Sequence, residues 1–205
     1  MKIICVGWNY PLHNKEMDKT LEDMNPVIFM KPDTAILRNG KPFFLPDFTK
    51  RVEYETELVI RINRLGRNIS EKFAPRYYDE VTVGIDFTAR DIQEKLRAAG
   101  EPWEMSKAFD GSAVMGEFVT LDKLEGGIDN IDFSLTINDV EVQSANSSQM
   151  INSVNKIIAY VSKFYTLKIG DYIYTGTPAG VGPVKIGDHL KGYLQGEKVL
   201  DFFVR

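Results

Sequence analysis

Three acidic residues at alternate positions are the strongest chemical signal in this chain. Residues 51–62 read RVEYETELVIRI, and a β-strand is predicted over residues 52–63, which include Glu53, Glu55 and Glu57. Side chains alternate between the two faces of a strand, so these glutamates and then Val59 share one face, and mostly apolar residues share the other. An exposed strand tolerates such a row because water screens the charges, whereas a buried strand needs a cation among them.

Asp86 is a second acid in a similar setting, near the end of the strand predicted over residues 81–87 and just before a predicted helix. Functional side chains often lie at such junctions. Two glutamates and one aspartate offer only oxygen ligands, which suits Mg²⁺ or Mn²⁺ and, less well, Ca²⁺. The chain has two histidines and one cysteine, which disfavours zinc. Plainer roles also fit: a solvated strand face for Glu55 and Glu57, and a helix cap or turn for Asp86.

The elements that must position these acids are mostly strands. Further strands are predicted over residues 133–137 and 140–143, joined by a hairpin turn at Asn138 and Asp139. The similar segments LKIGD and VKIGD, which end at residues 171 and 188, indicate two turns that each precede a strand. The pattern therefore predicts a mainly β fold with a few helices (α+β).

Two helices are predicted. The first covers residues 88–99, with Thr88 and Asp91 resembling a capping box and Gly100 ending the helix. The second covers residues 153–165, where apolar residues recur with the helical period, so we expect it to be scaffold rather than site.

Composition excludes several classes of protein. The 205 residues are 43% hydrophobic and 26% charged, with a net charge of −4 and no basic cluster, which argues against nucleic-acid binding. No apolar run is long enough to cross a membrane, and the N-terminus lacks the pattern of a signal peptide, so a cytoplasmic location is expected. Cys5 lies in an apolar run, which favours a buried structural thiol over a reactive one.

Motifs in colinear order cover nearly the whole chain. They are GWNY at residues 7–10, HNKE at 13–16, FMKP at 29–32, YETEL at 54–58, GIDFTARDIQ at 84–93, KAFDG at 107–111 and GDYIYTGTPAGVG at 170–182. This ordered set resembles the fumarylacetoacetate hydrolase family, specifically its short acylpyruvate hydrolase and oxaloacetate decarboxylase branch. The resemblance implies a mixed β-sandwich roll, one catalytic domain over residues 1–205, and a homodimer.

The resemblance also implies roles for residues at matching positions. The implied metal ligands are Glu55, Glu57 and Asp86. Other implied roles are a cation beside the metal for Lys107, substrate contacts for Arg90, Gln93 and Thr177, and a pair on a mobile lid, at about residues 8–20, for His13 and Glu16. Each also has a plainer interpretation: a solvated lysine at 107, a tight turn at 175–178 and a surface histidine at 13.

Trp8 departs from the pattern, because many relatives read Gly-Arg-Asn-Tyr where this chain reads Gly-Trp-Asn-Tyr. If that arginine holds a substrate carboxylate or organises the lid, tryptophan removes its charge. An aromatic ring there would favour a more apolar acyl group, and a packing variant is the alternative.

These residues suit the cleavage of a carbon–carbon bond in an acylpyruvate. A divalent cation can bind the 2-oxo acid end and stabilise an enolate. A helical turn over residues 11–18 would place the side chains of His13 and Glu16 on one face, where the histidine, paired with the glutamate, could act as a general base. The leading hypothesis is therefore a hydrolase that releases pyruvate and a carboxylic acid. Oxaloacetate decarboxylase or 2-hydroxy-dienoate isomerase chemistry at the same metal site is the alternative, and a non-catalytic metal-binding protein is the third. His189, in a predicted C-terminal strand, is interpreted as structural.

Overall fold

Strands make up most of the regular structure in the computed structural model, which describes residues 1–17, 25–38 and 40–205. The strands, in chain order, are β1 (Ile3–Gly7), β2 (Val27–Lys31), β3 (Ile36–Arg38), β4 (Val52–Tyr54), β5 (Thr56–Ile62), β6 (Tyr78–Asp86), β7 (Thr88–Ala89), β8 (Ala113–Met115), β9 (Val119–Thr120), β10 (Asp132–Ile137), β11 (Val140–Asn146), β12 (Tyr172–Tyr174), β13 (Gly182–Pro183), β14 (His189–Leu194) and β15 (Glu197–Phe203). The α-helices are α1 (Pro11–Glu16), α2 (Arg90–Ala99), α3 (Glu104–Lys107) and α4 (Val154–Phe164). Short 3₁₀ turns cover Asp33–Ala35, Glu71–Arg76, Leu121–Lys123 and Ser147–Gln149. The predicted mainly β class with a few helices is confirmed.

The strands form one large mixed sheet and two smaller sheets. The large sheet has the order β2-β1-β12-β5-β6-β8-β3, and β9 pairs with β6 beside this path. Its β1–β12 and β3–β8 pairs are parallel and its other pairs are antiparallel. A four-stranded antiparallel sheet has the order β11-β10-β14-β15, and a three-stranded sheet has the order β13-β4-β7.

Strand β5 lies in the middle of the large sheet and is buried on both faces. Leu58 and Ile60 point into the main core, which also contains Ile157 and Val161 of α4, while Val59 points into a separate cluster on the opposite face. Each such side chain contributes about 1.5–3 kcal/mol when fully buried. The alternation predicted for this segment is therefore confirmed within β5, and it places Glu57 on the same side as Val59.

The strand predicted over residues 52–63 is divided at Glu55. Its first part, β4, pairs with β7 and β13, whereas its second part, β5, pairs with β6 and β12. The expectation of one continuous strand is wrong because the chain changes sheets at this residue. The change places Glu55 where two sheets meet.

The predicted hairpin and the two similar turns are all present. Asn138 and Asp139 both have positive φ, 52° and 66°, as a type I′ hairpin turn requires, although β11 runs further than residues 140–143. In the other two turns an aspartate carboxylate accepts a hydrogen bond from the backbone three residues earlier, at 2.8 Å for Asp171 and 2.9 Å for Asp188. The same local sequence thus builds the same turn twice.

Both long helices form, with one difference at an end. Ser153 caps α4, accepting from the Lys156 backbone at 3.2 Å, and Gly100 ends α2 in the left-handed conformation. The predicted capping box at Thr88 is wrong. Thr88 pairs with β4 as part of β7 and accepts a hydrogen bond from Lys107, so α2 begins two residues later at Arg90.

Within the described residues, every helix is too short or too polar to cross a bilayer. The homodimer, the cytoplasmic location and the single catalytic domain stay predictions. The lid predicted over residues 8–20 falls partly on residues 18–20, which lie outside the described residues.

Candidate active site

Three carboxyl groups converge where β5 and β6 run side by side. The antiparallel register sets Glu57 opposite Gly84, and the Asp86 backbone N donates to the Glu55 carbonyl at 2.8 Å. This register brings one oxygen of Glu55, Glu57 and Asp86 within 4.8 Å of one another. All three side chains are buried, with Glu57 only 1% and Asp86 0% exposed. The solvated-face interpretation of these acids is therefore excluded.

Gly84 is required for this register. A Cβ at this position would lie 2.6 Å from the Val114 carbonyl oxygen and 2.6 Å from Val59. Because strand neighbours press on it from both sides, a larger residue would push β6 away from β5. The carboxyl groups of Asp86 and Glu57 would then separate.

Cations surround two of the three carboxyl groups. Lys107 Nζ lies 2.7 Å from Glu55 Oε2 and 2.7 Å from Asp86 Oδ2, and Lys31 Nζ lies 2.6 Å from Asp86 Oδ1. The Arg90 guanidinium donates to Glu55 and, at 2.6 Å, to Glu53. Arg90 also donates to Gln93, so its fork is directed at the protein's own acids and amide.

The pKa shifts follow from this arrangement. Burial opposes ionisation of Glu55, but Lys107 and Arg90 outweigh it and hold the pKa of Glu55 well below its ordinary value. Glu57 is different, because burial and then the negative charges of Asp86 and Glu55 raise its pKa well above the ordinary value. Burial lowers the pKa of Lys107, but Asp86 and Glu55 more than compensate and raise it.

The donor set fits a divalent cation. Among the described residues, Glu55 and Asp86 each form ion pairs with two cationic side chains, whereas no lysine or arginine lies within 4 Å of the Glu57 carboxyl group. Burial and the charges of Asp86 and Glu55 raise the pKa of Glu57 accordingly. A hard cation with oxygen ligands would supply positive charge at this carboxyl group. Glu55, Glu57 and Asp86 are the residues that could hold it.

A histidine–glutamate pair occupies the short helix α1. Pro11 at its first turn favours the helix start, and the three-residue spacing puts His13 Nδ1 3.1 Å from Glu16 Oε2. The Glu16 carboxylate also accepts from the Gly180 backbone N, at 3.1 Å. Helix α1 is therefore fastened to the loop that follows β12. The helical turn predicted over residues 11–18 is confirmed over Pro11–Glu16, and residue 18 lies outside the described residues. The predicted pairing is confirmed, and His13 is buried rather than on the surface.

That loop, TGTPAG at residues 175–180, is held against the carboxylates. The Gly176 backbone N donates to Glu57 Oε2 at 2.6 Å, and its φ of 101° with Asn9 packed alongside leaves no room for a Cβ. Gln143 fixes the next residues, since its Nε2 donates to Thr177 Oγ1 at 2.9 Å while its Oε1 accepts from the Thr56 backbone at 2.9 Å. The loop is thus held in place by contacts with Glu57, Asn9 and Gln143 and is not only a tight turn.

Six of the polar side chains named as site candidates border one narrow cleft that is open to solvent: His13, Glu55, Arg90, Gln93, Lys107 and Thr177. Its lining residues are Val6, Gly7, Trp8, His13, Phe29, Glu55, Arg90, Gln93, Trp103, Lys107 and Thr177. A cleft on which charged and polar side chains converge suits a small polar metabolite. Glu55 lies at its floor with Glu57 and Asp86 buried beside it, and the histidine of α1 lies on its wall.

Comparison with known proteins identifies the family. A sequence model described as fumarylacetoacetate (FAA) hydrolase C-terminal matches residues 2–201. The chain belongs to the fumarylacetoacetate hydrolase family. The fold expected from the resemblance, a mixed β-sandwich roll, is confirmed by the solved structures that superpose on it.

Three relatives indicate the range of the family. The oxaloacetate tautomerase YcgM of Escherichia coli K12 is 39% identical over 189 residues, covering 92% of this chain and 86% of that protein. The crystal structure of a protein assigned to the family from Yersinia pestis CO92 matches with a TM-score of 0.95 at 39% identity, covering 100% of this chain and 93% of that one. That of fumarylpyruvate hydrolase from Pseudomonas aeruginosa, in complex with Mn²⁺ and pyruvate, gives 0.92 at 34% identity, covering 100% and 89%. Family members are enzymes, and more than one reaction occurs on this fold.

Sequence reasoning placed its candidates in one site but missed some participants. Lys31 was missed as a site residue, although a lysine at the end of an apolar strand is a signal, since buried lysines are rare unless paired. Gln143 gave no such signal, because a glutamine in a hairpin strand is usually solvated and its partners Thr56 and Thr177 lie in distant parts of the chain. Trp103 reaches the cleft from the start of α3, which the pattern did not predict as a helix.

Two residues given structural roles keep them. His189 Nε2 lies 2.6 Å from Asp201 Oδ1, and its ring stacks on Phe203 at 4.0 Å, both on the four-stranded sheet. Cys5 is fully buried in β1, and burial followed by the negative charge of Asp86 raises the pKa of its thiol. A protonated, enclosed thiol is not a nucleophile.

Proposed function

We propose that this protein is a divalent-metal-dependent hydrolase that cleaves acylpyruvates, 2,4-dioxo acids, into pyruvate and a carboxylic acid. The observation that carries the proposal is His13, paired with Glu16, which lines the same cleft as Glu55, the carboxylate that lies beside those of Glu57 and Asp86. Metal ligation alone would suit any 2-oxo acid. A buried histidine oriented by a carboxylate adds what hydrolysis requires, a base for water.

Glu55, Glu57 and Asp86 would hold the metal, for which we propose Mg²⁺, with Mn²⁺ or Ca²⁺ as alternatives. When bound, the cation would supply Lewis-acid polarisation of the carboxylate and adjoining carbonyl of a 2-oxo acid. Arg90 orients Glu55 through its guanidinium, and Lys107 sets the positions of Glu55 and Asp86. These contacts lower the pKa of Glu55 and fix the positions of Glu55 and Asp86.

His13 performs the proton transfers in this proposal. Glu16 engages Nδ1, which assigns Nε2 as the atom that takes a proton from water. The resulting hydroxide adds to the distal carbonyl carbon. The bond between that carbon and C3 then breaks, its electron pair passes to the pyruvate enolate, and the proton returns from His13 to C3. The products are one carboxylic acid, which loses its proton to solvent, and pyruvate.

Lys107 and Thr177 border the pocket in which the enolate forms. An ammonium group that burial does not neutralise stabilises developing negative charge, and the pKa of Lys107 is raised rather than lowered. Thr177 and Gln93 offer a hydroxyl and an amide for the substrate's oxygen atoms. Gln143 fixes the Thr177 hydroxyl for this contact.

The test is pyruvate release from an acylpyruvate by wild type, His13→Ala and, as the matched histidine control, His189→Ala, each with Mg²⁺ and with EDTA. We expect release by wild type and by His189→Ala, abolished by EDTA, and at least a hundredfold lower release by His13→Ala. Mn²⁺ binding followed by electron paramagnetic resonance should be unchanged in His13→Ala. Normal turnover by that variant would refute the role of the pair.

Oxaloacetate tautomerisation is a second candidate, favoured by the 39% identity to a protein of that name. It needs a proton moved between C3 and the C2 oxygen but no hydrolytic water, so the same metal site and His13 would serve. The ultraviolet absorbance of the enol of oxaloacetate measures it directly. Fast loss of that absorbance without acylpyruvate cleavage would assign the chain to tautomerases.

A further inference from the structure

One side of the cleft is aromatic from end to end. Starting at the carboxylates, Lys107 Nζ lies 5.1 Å from the centroid of Phe29, and the Phe29 ring is 5.9 Å from that of Trp103. Trp103 meets Trp8 edge to face at 6.2 Å, and Trp8 stacks on the His13 imidazole at 5.7 Å and 22°. We call Phe29, Trp103 and Trp8 the aromatic wall. It connects the metal-side lysine with the proposed base.

The charged groups of the cleft lie at its floor, and each of its cations has acid partners there. Arg90 is engaged by Glu53 and Glu55, and Lys107 by Glu55 and Asp86. Along the wall, apart from His13, the lining residues are aromatic or apolar, with Val6 and Gly7 beside the rings. Within the part of the chain that the structure describes, the lining of the cleft is therefore charged at the floor and carries no lysine, arginine or carboxylate along the aromatic wall; Arg97 lies against the Trp8 ring without lining the cleft.

Trp8 is held in a conformation that its residue type disfavours. Its φ is 63°, in the left-handed region where bulky side chains are uncommon, yet the side chain is only 8% exposed. The Arg97 guanidinium lies 5.0 Å from the centroid of its ring, and His13 stacks on it. The backbone conformation does not favour tryptophan at this position, so the residue is better explained by the position of its ring on the cleft. Such outliers cluster at ligand-binding sites.

We propose that the aromatic wall, and Trp8 above all, selects substrates whose acyl group is uncharged, alkyl or aryl, over those that end in a second carboxylate. This inference rests on the proposed function, because the acyl group is the part of an acylpyruvate that extends from the metal-bound end towards His13. The faces of aromatic rings carry partial negative charge and repel a carboxylate, which would also lose its hydration there. An alkyl or aryl group gains apolar contact instead.

The experiment compares two substrates that differ at one end only, 2,4-dioxoheptanoate and 2,4-dioxoheptanedioate. Wild type should prefer the monoacid by at least about tenfold in kcat/KM. Trp8→Phe keeps an aromatic ring and should keep the preference within about threefold, whereas Trp8→Arg should lower the ratio by at least about tenfold. Phe164→Arg, at a residue on α4 that is 59% exposed, is the matched control and should leave both rates unchanged.

The ratio of the two kcat/KM values distinguishes substrate selection by Trp8 from a role in packing alone. If Trp8 only supports His13, Trp8→Arg lowers both rates equally and the ratio stays constant, which overturns the inference. A wild-type preference for the diacid also overturns the inference. It would point to Arg97, whose guanidinium lies against the Trp8 ring, as the group that attracts the second carboxylate.

Failure of the proposed function would be visible separately. If neither substrate is cleaved, the same preference is measured as binding of 2-oxoheptanoate and 2-oxoheptanedioate, which lack the second carbonyl, by calorimetry with Mn²⁺ present. Tighter binding of the monoacid, reversed by Trp8→Arg, supports the selective wall without hydrolysis. Equal or tighter binding of the diacid overturns it.

Discussion

Replacing Lys107 by methionine removes the ammonium group at the centre of the carboxylate cluster with little change in shape. Its Nζ contacts Glu55 Oε2 and Asp86 Oδ2, both at 2.7 Å, and donates to Thr88 Oγ1 at 2.6 Å. These carboxyl groups are also proposed metal ligands. The variant should therefore be less stable than wild type without metal, and should recover part of that loss when metal is added.

The magnitude follows from the contacts that remain. Removing one partner of a buried ion pair costs about 3–5 kcal/mol. Glu55 keeps Arg90 and Asp86 keeps Lys31, so the loss belongs at the lower end, about 3 kcal/mol. Metal at 100 times its dissociation constant adds about 2.7 kcal/mol to a protein that binds it. Without the competing ammonium group we expect Lys107→Met to bind the metal at least about tenfold more tightly, which adds about 1.4 kcal/mol to its free energy of unfolding. The stability deficit relative to wild type then falls from about 3 to about 1.6 kcal/mol.

The assay is urea unfolding followed by tryptophan fluorescence, at one protein concentration, in EDTA and in Mn²⁺. Lys163→Met, an exposed lysine on α4, is the control and should change the free energy of unfolding by less than about 0.5 kcal/mol in both. An equal deficit of Lys107→Met in EDTA and Mn²⁺, or weaker Mn²⁺ binding, would refute the placement of this lysine among the metal ligands.

Two further predictions concern the interior. Burial raises the pKa of Cys5, so the thiol stays protonated and enclosed. At about pH 8.5 it should therefore react with a disulfide reagent only after denaturant is added. Reaction in the folded protein would contradict its structural role. Gln143→Leu removes the acceptor of the Thr56 backbone and the donor to Thr177, which should cost about 2–4 kcal/mol in urea unfolding and lower kcat. A stable, fully active variant would show that Gln143 does not position the loop.

Features set by neighbours in the sequence could be predicted without the structure. His13 and Glu16 pair because residues three apart share a helix face, and Gly100 ends α2 because glycine adopts the left-handed conformation readily. The repeated aspartate turns also need only five residues each. In all these cases the interacting residues are only a few positions apart in the sequence.

The resemblance to the family extended this to the site. It placed Glu55, Glu57, Asp86 and Lys107 together, which local pattern alone could not do, because residues 55 and 107 belong to elements far apart in the chain. Pattern alone left the two glutamates compatible with a solvated face. Burial decided between the two interpretations, and burial is a property of the packed sheets.

Only the tertiary structure decided the remaining contacts. Strand register depends on how whole sheets pack, so neither the break at Glu55 nor the contacts of Gln143 with Thr56 and Thr177 have a local signature. The position of Lys31 at the end of an apolar strand indicates that it needs a partner, but only the packed sheets show that the partner is Asp86. Thr88 shows the same effect, since pairing with β4 overrode its tendency to cap a helix. The sequence by itself determined which residues could do chemistry. The packing of sheets around β5 decided which of them meet, because contacts between distant segments form only when the core is buried.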